Sequence, residues 1–260
     1  ALESSTTGSG NIAIGKSSLK ENTTGNCNVG LGALTLTANI CGSCNIAIGK
    51  ETLKSNTCGF CNVALGGFAL FCNTNGCDNV SIGQCALFSQ EVACYNIAIG
   101  TKALKSLTCG CCNIAIGQEA LCCNTTAKGN VGIGRSALRN NTTGKCNVAL
   151  GSCTLCCNST GSHNFAAGAS ALCSNDDSSG NTAIGREAMQ LGTGGEDNVA
   201  IGYQALQDCT GDNNVGIGRS SLKQLTSGGG NVAVGQTAGQ DLTTGSTNTF
   251  VGVRAGQNIT

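Results

Sequence analysis

The stretch Asn96-Ile97-Ala98-Ile99-Gly100-Thr101-Lys102-Ala103-Leu104-Lys105-Ser106-Leu107-Thr108-Cys109-Gly110-Cys111-Cys112 runs directly into Asn113-Ile114-Ala115-Ile116-Gly117. The five-residue phrase has returned after 17 residues. Working outward, the same opening Asn stands at Asn11, Asn28, Asn45, Asn62, Asn79, Asn96, Asn113, Asn130, Asn147, Asn164, Asn181, Asn198, Asn214, Asn231 and Asn248. Every step is 17 residues except the 16 between Asn198 and Asn214. A Gly stands four places after each, from Gly15 to Gly252. With Asn as position 0, position 1 is Ile or Val in twelve of the fifteen units, the exceptions being Phe165, Thr182 and Thr249. Position 2 is mostly Ala or Gly, and position 3 is Ile, Leu or Val except at Ala167. Position 8 is Leu or Met until Gly239 and Gly256; position 12 is usually Thr and position 14 usually Gly.

A 17-residue period is too short for repeats built from helix pairs. Alternating apolar positions 1 and 3 read as a strand with one buried face. The Gly breaks that strand, a short x-Ala-Leu-x segment follows, and a Thr-Gly stretch closes the unit. The spacing therefore predicts an all-β fold: a parallel β-solenoid, or β-roll, of about 15 coils, each reading strand, turn, strand, turn. Positions 1, 3 and 8 are expected inward. The small-residue column at position 2, which includes Ala98 and Ala115, is expected on the opposite face, where another backbone approaches closely. Stacked coils bring the fifteen Asn side chains above one another as a hydrogen-bonded ladder. The absence of Pro fits strands that donate on both sides. The shortened step should fall in a closing turn, because a residue lost inside a strand reverses every following side chain. The chain reads as a single array over 1–260, with a partial repeat at 1–10, fourteen repeats at 11–247 and a partial repeat at 248–260. A Cys-rich zone spans 27–173 and a Cys-poor zone 174–260.

Composition narrows the function. The chain has 260 residues, 40 of them Gly and 20 Cys, with 14 basic and 14 acidic residues giving zero net charge. A nucleic-acid binder would show a basic excess, and no apolar run approaches the ~20 residues of a membrane helix. The cysteine density points to an oxidising location: extracellular, or on a cell or virion surface.

Catalytic chemistry finds no foothold, and no enzyme activity or cofactor is expected. His163, the single histidine, sits in a closing turn without a Cys or Ser partner. Asp176 and Asp177 share one turn, but no calcium-type repeat recurs. The glycines are turns of the repeat, with no Gly-Lys-Ser/Thr signature for phosphate. Basic pairs at positions 5 and 9, such as Lys16/Lys20, Lys50/Lys54, Arg135/Arg139 and Arg219/Lys223, read as a solvated outer face that limits sheet aggregation. Glycosylation sequons occur at Asn22, Asn124, Asn141, Asn158 and Asn258.

The cysteines invite a disulfide reading. Cys72, Cys123 and Cys157 at position 10 occur in the coils whose opening Asn is preceded by Cys61, Cys112 and Cys146. This predicts same-coil bridges Cys61–Cys72, Cys112–Cys123 and Cys146–Cys157, with Cys41–Cys44 closing a neighbouring turn. Cys77, Cys94 and Cys111 share one column, and Cys156 lies one coil from Cys173, so bridges between coils or chains are also open. No metal site is expected; the four-thiolate alternative is Cys41, Cys44, Cys58 and Cys61, two Cys-x-x-Cys pairs in consecutive coils.

The units Asn11-Ile12-Ala13-Ile14-Gly15, Asn198-Val199-Ala200-Ile201-Gly202-Tyr203-Gln204-Ala205-Leu206 and Asn248-Thr249-Phe250-Val251-Gly252 resemble the head repeats of YadA-type trimeric adhesins. They are closer still to the repeat arrays of phage and viral fibre proteins, and the resemblance covers essentially the whole chain. It implies a left-handed parallel β-roll assembling as a homotrimer on a cell or virion surface. The expected function is a rigid structural fibre shaft or spike for attachment, partnered by its own copies, end to end as well, and by a cell-surface glycan or receptor. Two alternatives stand beside it: an ice- or crystal-surface binder using the position-12 Thr ladder (Thr23, Thr57, Thr74, Thr108, Thr125, Thr142), and a metal-thiolate filament.

Overall fold

The computed structural model describes residues 1–259. These hold fifteen three-residue β-strands and no helix. The chain divides into two compact units, Ala1–Gly129 and Asn130–Thr260. The first contains β1 (Ile12–Ile14), β2 (Val29–Leu31), β3 (Ile46–Ile48), β4 (Val63–Leu65), β5 (Val80–Ile82), β6 (Ile97–Ile99) and β7 (Ile114–Ile116). The second contains β8 (Val131–Ile133), β9 (Val148–Leu150), β10 (Phe165–Ala167), β11 (Thr182–Ile184), β12 (Val199–Ile201), β13 (Val215–Ile217), β14 (Val232–Val234) and β15 (Thr249–Val251). Within each unit consecutive strands pair in parallel with like positions aligned, as in Ile46↔Val63 and Phe165↔Thr182. Each unit is thus a parallel β-solenoid with one strand per coil.

The second leg of the coil is not a strand, contrary to the two-strand expectation. Positions 6 and 8 are left-handed in every coil, for example Lys102 at φ 60° and Leu104 at φ 49°. Such angles cost a side-chain-bearing residue about 1–2 kcal/mol and break an extended run. The leg still bonds along the stack, with Leu53 N–H donating to Ala69 O at 3.0 Å and Ser55 N–H to Phe71 O at 3.2 Å. Gly at position 4 is obligatory: Gly100 has φ 132°, and a Cβ there would sit 2.5 Å from Gly117 O. No side chain fits that backbone path at that separation.

The interior holds positions 0, 2, 7, 8, 11 and 14. In the coil of β6 these are Asn96, Ala98, Ala103, Leu104, Leu107 and Gly110, all buried. This corrects the expected facing. Position 2 points inward, while positions 1 and 3 point out. Ala98 and Ala115 are fully buried, whereas Ile12 and Ile14 are 53% and 60% exposed. The reason is space. One leucine at position 8 fills most of so narrow a coil, and the strand facing it can offer only Ala, Gly or Ser. The last coils show the same constraint in reverse. Phe250 occupies position 2 of β15, and position 8 has shrunk to Gly239 and Gly256, where an added Cβ would lie 2.8 and 2.3 Å from the Phe250 ring.

The 16-residue step is absorbed as expected, in the closing turn. Val199 still pairs with Val215 and Ile201 with Ile217. Thr210 N–H reaches Thr226 O, and Asn198 Nδ2 donates to Gly211 O, the carbonyl that elsewhere belongs to position 14. The missing residue is therefore position 13.

Candidate functional site

Two surface features are built by the repeat. The first is the outward sheet face. Strand alternation sends positions 1 and 3 to one side, and both carry branched apolar residues in almost every coil. Ile46 and Ile48 of β3 are each 38% exposed; Leu31, Ile116, Ile133, Ile184 and Val234 are similarly open. The rank recurs from coil to coil in each unit and faces solvent.

Beneath it run the asparagines. Asn45 is fully buried; its N–H and Nδ2 both donate to Asn28 Oδ1, at 3.0 and 3.1 Å, and Nδ2 also donates to Gly59 O at 2.8 Å. Its own Oδ1 accepts from Asn62 N–H and Nδ2, each at 3.1 Å. The pattern repeats through Asn62, Asn79, Asn96 and Asn113 in the first unit, and Asn147, Asn164, Asn181, Asn198, Asn214, Asn231 and Asn248 each donate their N–H to the preceding Asn in the second. A second ladder at position 11 went unread in the sequence. Asn39 Nδ2 donates to Asn22 Oδ1, Asn56 to Asn39 and Asn73 to Asn56, each at 2.7 Å. Its signal was the alignment of Asn22, Asn39, Asn56 and Asn73 at one column. The sequons hid it: Asn22, Asn124, Asn141 and Asn158 are fully buried, so they are scaffold residues and not glycan acceptors in the folded chain, whereas Asn258 is exposed.

The second surface feature is the set of cysteine columns. Stacking places equivalent positions one strand spacing apart, within the span a disulfide needs. Cys41 and Cys58 at position 13 are bridged, with Cα atoms 4.8 Å apart. This replaces the expected Cys41–Cys44 bridge and removes two thiols from the Cys41, Cys44, Cys58, Cys61 zinc alternative. Cys44, Cys61, Cys72, Cys112, Cys146 and Cys157 carry free thiols, so the same-coil bridges Cys61–Cys72, Cys112–Cys123 and Cys146–Cys157 are not formed. Positions 10 and 16 both face outward, with buried Asn and Gly at 11 and 14 between them, so their side chains do not meet across the coil. The sulfur neighbours run along the stack instead. Cys77 and Cys94 Sγ atoms lie 2.8 Å apart; burial and the Cys94 contact push the Cys77 thiol up to about 12. In the second unit Cys156 Sγ is 3.3 Å from Cys173 Sγ and 3.7 Å from Cys157 Sγ. Sharing a proton with Cys173 holds the Cys156 thiol above its ordinary range and the Cys173 thiol below it.

The remaining residues fall outside any cleft, and the described surface carries no pocket. His163 is exposed in its turn. Asp176 accepts a hydrogen bond from Ser159. The position-12 hydroxyls are spent on the neighbouring coil: Thr23 donates to Ile40 O, Thr57 to Thr74 O, Thr74 to Glu91 O and Thr108 to Thr125 O, all at 3.0–3.1 Å. Lys50 and Lys54 flank Glu51 at 3.6 and 3.0 Å, which holds that carboxylate below its usual range, chiefly through the Lys54 hydrogen bond. No protein-family model, no curated protein and no solved structure matches the chain.

Proposed function

We propose that the chain is the shaft of a surface fibre or spike, a structural protein that assembles from three copies of itself and serves attachment at a cell or virion surface. The observation that carries this reading is the outward rank of Ile, Val and Leu at positions 1 and 3. A regular apolar face on an otherwise polar surface favours contact with another surface. A face that repeats identically coil after coil is best matched by another copy of itself. Three copies around one axis cover every such face at once, and the resemblance to trimeric fibre repeats supports the same number and a left-handed roll. The cysteine columns, one already bridged at Cys41–Cys58, support an oxidising location outside the cell. The array would then hold a distal attachment surface away from its anchor, with a glycan or protein receptor as the partner.

Analytical ultracentrifugation with multi-angle scattering tests the assembly. The native chain should sediment as a trimer. A variant carrying Ile46→Lys, Ile48→Lys, Ile97→Lys and Ile99→Lys should sediment as a monomer with an unchanged circular dichroism spectrum. A native monomer at micromolar concentration overturns the proposal.

A further inference from the structure

The coils of β9 and β10 carry an arrangement that differs from every other cysteine column described above. Among the described residues no other three Cys, His, Asp or Glu ligand atoms converge in this way. Here a vicinal pair, Cys156-Cys157 at positions 9 and 10, meets Cys173 at position 9 of the next coil, and all three Sγ atoms lie within 4.8 Å of one another. The register of the two coils is fixed at the cluster itself, since Cys157 N–H donates to Cys173 O at 3.1 Å. From these positions we infer that Cys156, Cys157 and Cys173 form a three-thiolate binding site for a thiophilic divalent cation, with Zn²⁺ as the fitting ion.

The geometry suits that ion. A triangle with edges of 3.3 and 3.7 Å and a third edge no longer than 4.8 Å can be spanned by one ion about 2.3 Å from each sulfur, the ordinary Zn–S distance. The corners of a regular Zn–thiolate tetrahedron are about 3.8 Å apart, close to the Cys156–Cys173 and Cys156–Cys157 edges. Cys157 is exposed and the other two are half-buried, so the ion has an entry path and a fourth position open to water. Binding releases the thiol protons to solvent as three Zn–S bonds form, and no oxidant is involved. The contrast with Cys77 and Cys94 is instructive. That pair has no third sulfur of its own group within reach and is arranged for a bridge. A Cys156–Cys173 bridge would leave Cys157 unused and destroy the three-fold set. The inference does not depend on the assembly reading, because all three ligands belong to adjacent coils of one chain.

The test uses the full chain, reduced and then freed of reductant. Adding Zn²⁺ should slow alkylation of Cys156, Cys157 and Cys173 together by at least about tenfold, read residue by residue by mass spectrometry, because ligated thiolates are withdrawn as nucleophiles. Co²⁺ as a spectroscopic probe should give thiolate charge-transfer absorption that saturates at one equivalent. That absorption should disappear in Cys156→Ser and Cys173→Ser and survive in Cys77→Ser and Cys94→Ser. The protection experiment requires no variant, so a misfolded substitution does not decide the matter. Equal alkylation with and without Zn²⁺, undiminished Co²⁺ absorption in both variants, or a Cys156–Cys173 disulfide in material prepared without oxidant would each overturn the inference.

Discussion

Replacing Asn45 by Ala removes one rung of the buried ladder, and its consequences can be traced atom by atom. Four hydrogen bonds vanish: Nδ2 to Gly59 O, Nδ2 to Asn28 Oδ1, and the two that Oδ1 accepts from Asn62. Three of the abandoned groups keep another partner. Gly59 O still accepts from Asn56 Nδ2 at 3.0 Å, Asn28 Oδ1 still accepts from the residue-45 N–H, and Asn62 Nδ2 still donates to Gly76 O at 2.8 Å. The Asn62 N–H loses its acceptor, and burial leaves it no water. An orphaned buried donor costs about 1–3 kcal/mol, and each of the other losses about 0.5–1. The sum is roughly 3–5 kcal/mol, far above the ~0.5 kcal/mol expected for an exposed change such as Lys50→Ala. Asn45→Asp is the informative companion, because it preserves both acceptor contacts while losing the donor and burying a charge; it too should be severe. Urea unfolding followed by circular dichroism, with hydrogen exchange at Asn62 to localise the effect, measures the loss. A shift for Asn45→Ala no larger than for Lys50→Ala would refute the argument that these amides hold the coils together.

Ala98→Leu should destabilise by about 1–3 kcal/mol or more through overpacking of the fully buried interior, while Lys102→Leu on the surface should be tolerated; thermal melts compare them. Gly100→Ala should prevent accumulation of folded protein or lower its melting point sharply, since the new Cβ would meet the Gly117 carbonyl. In a glycosylating host, folded protein should be unmodified at Asn22, Asn124, Asn141 and Asn158, as glycopeptide mapping would show. Burial pushes the Cys209 thiol up to about 11 from an ordinary 9.0, so the folded state prefers the protonated form. The associated stability is present below pH 9 and is lost as pH rises through 11; Cys209→Ala should flatten that alkaline limb in pH-dependent unfolding.

The period, the strand positions and the Gly after each strand were legible in the sequence because each is a local demand of the backbone. The facing of the strand was not. Alternation at Ile97, Ala98 and Ile99 says which residues share a side, and apolar bulk alone points to the wrong side as the inside. In a coil this narrow the rule inverts, and the clue was the near-exclusive smallness of position 2, together with the Gly239 and Gly256 exceptions that accommodate Phe250. The cysteines misled for a related reason. Column statistics linked positions 10 and 16 within a coil, but chemistry between side chains here runs along the stack, as at Cys41 and Cys58. The sequon pattern likewise named Asn22 and Asn158 by their neighbours in sequence, when their meaning lay 17 residues away.

The asparagine ladders also give each unit a direction. Backbone bonds between coils run both ways, with Val29 N–H donating forward to Asn45 O and Gly32 N–H backward to Ile14 O. The side-chain amides do not. At position 0 and again at position 11, Nδ2 donates toward the preceding coil, so two files of amide dipoles point the same way. Hydrogen-bonded amides in a row polarise one another, and aligned dipoles leave partial positive charge at the donor end and negative charge at the acceptor end. Each unit therefore carries like-directed files of side-chain amide dipoles along its own stacking direction. At these two columns the side toward the preceding coil offers Nδ2–H donors and the side toward the following coil offers Oδ1 acceptors. Where one such column meets another, donor faces acceptor only when the coils stack head to tail.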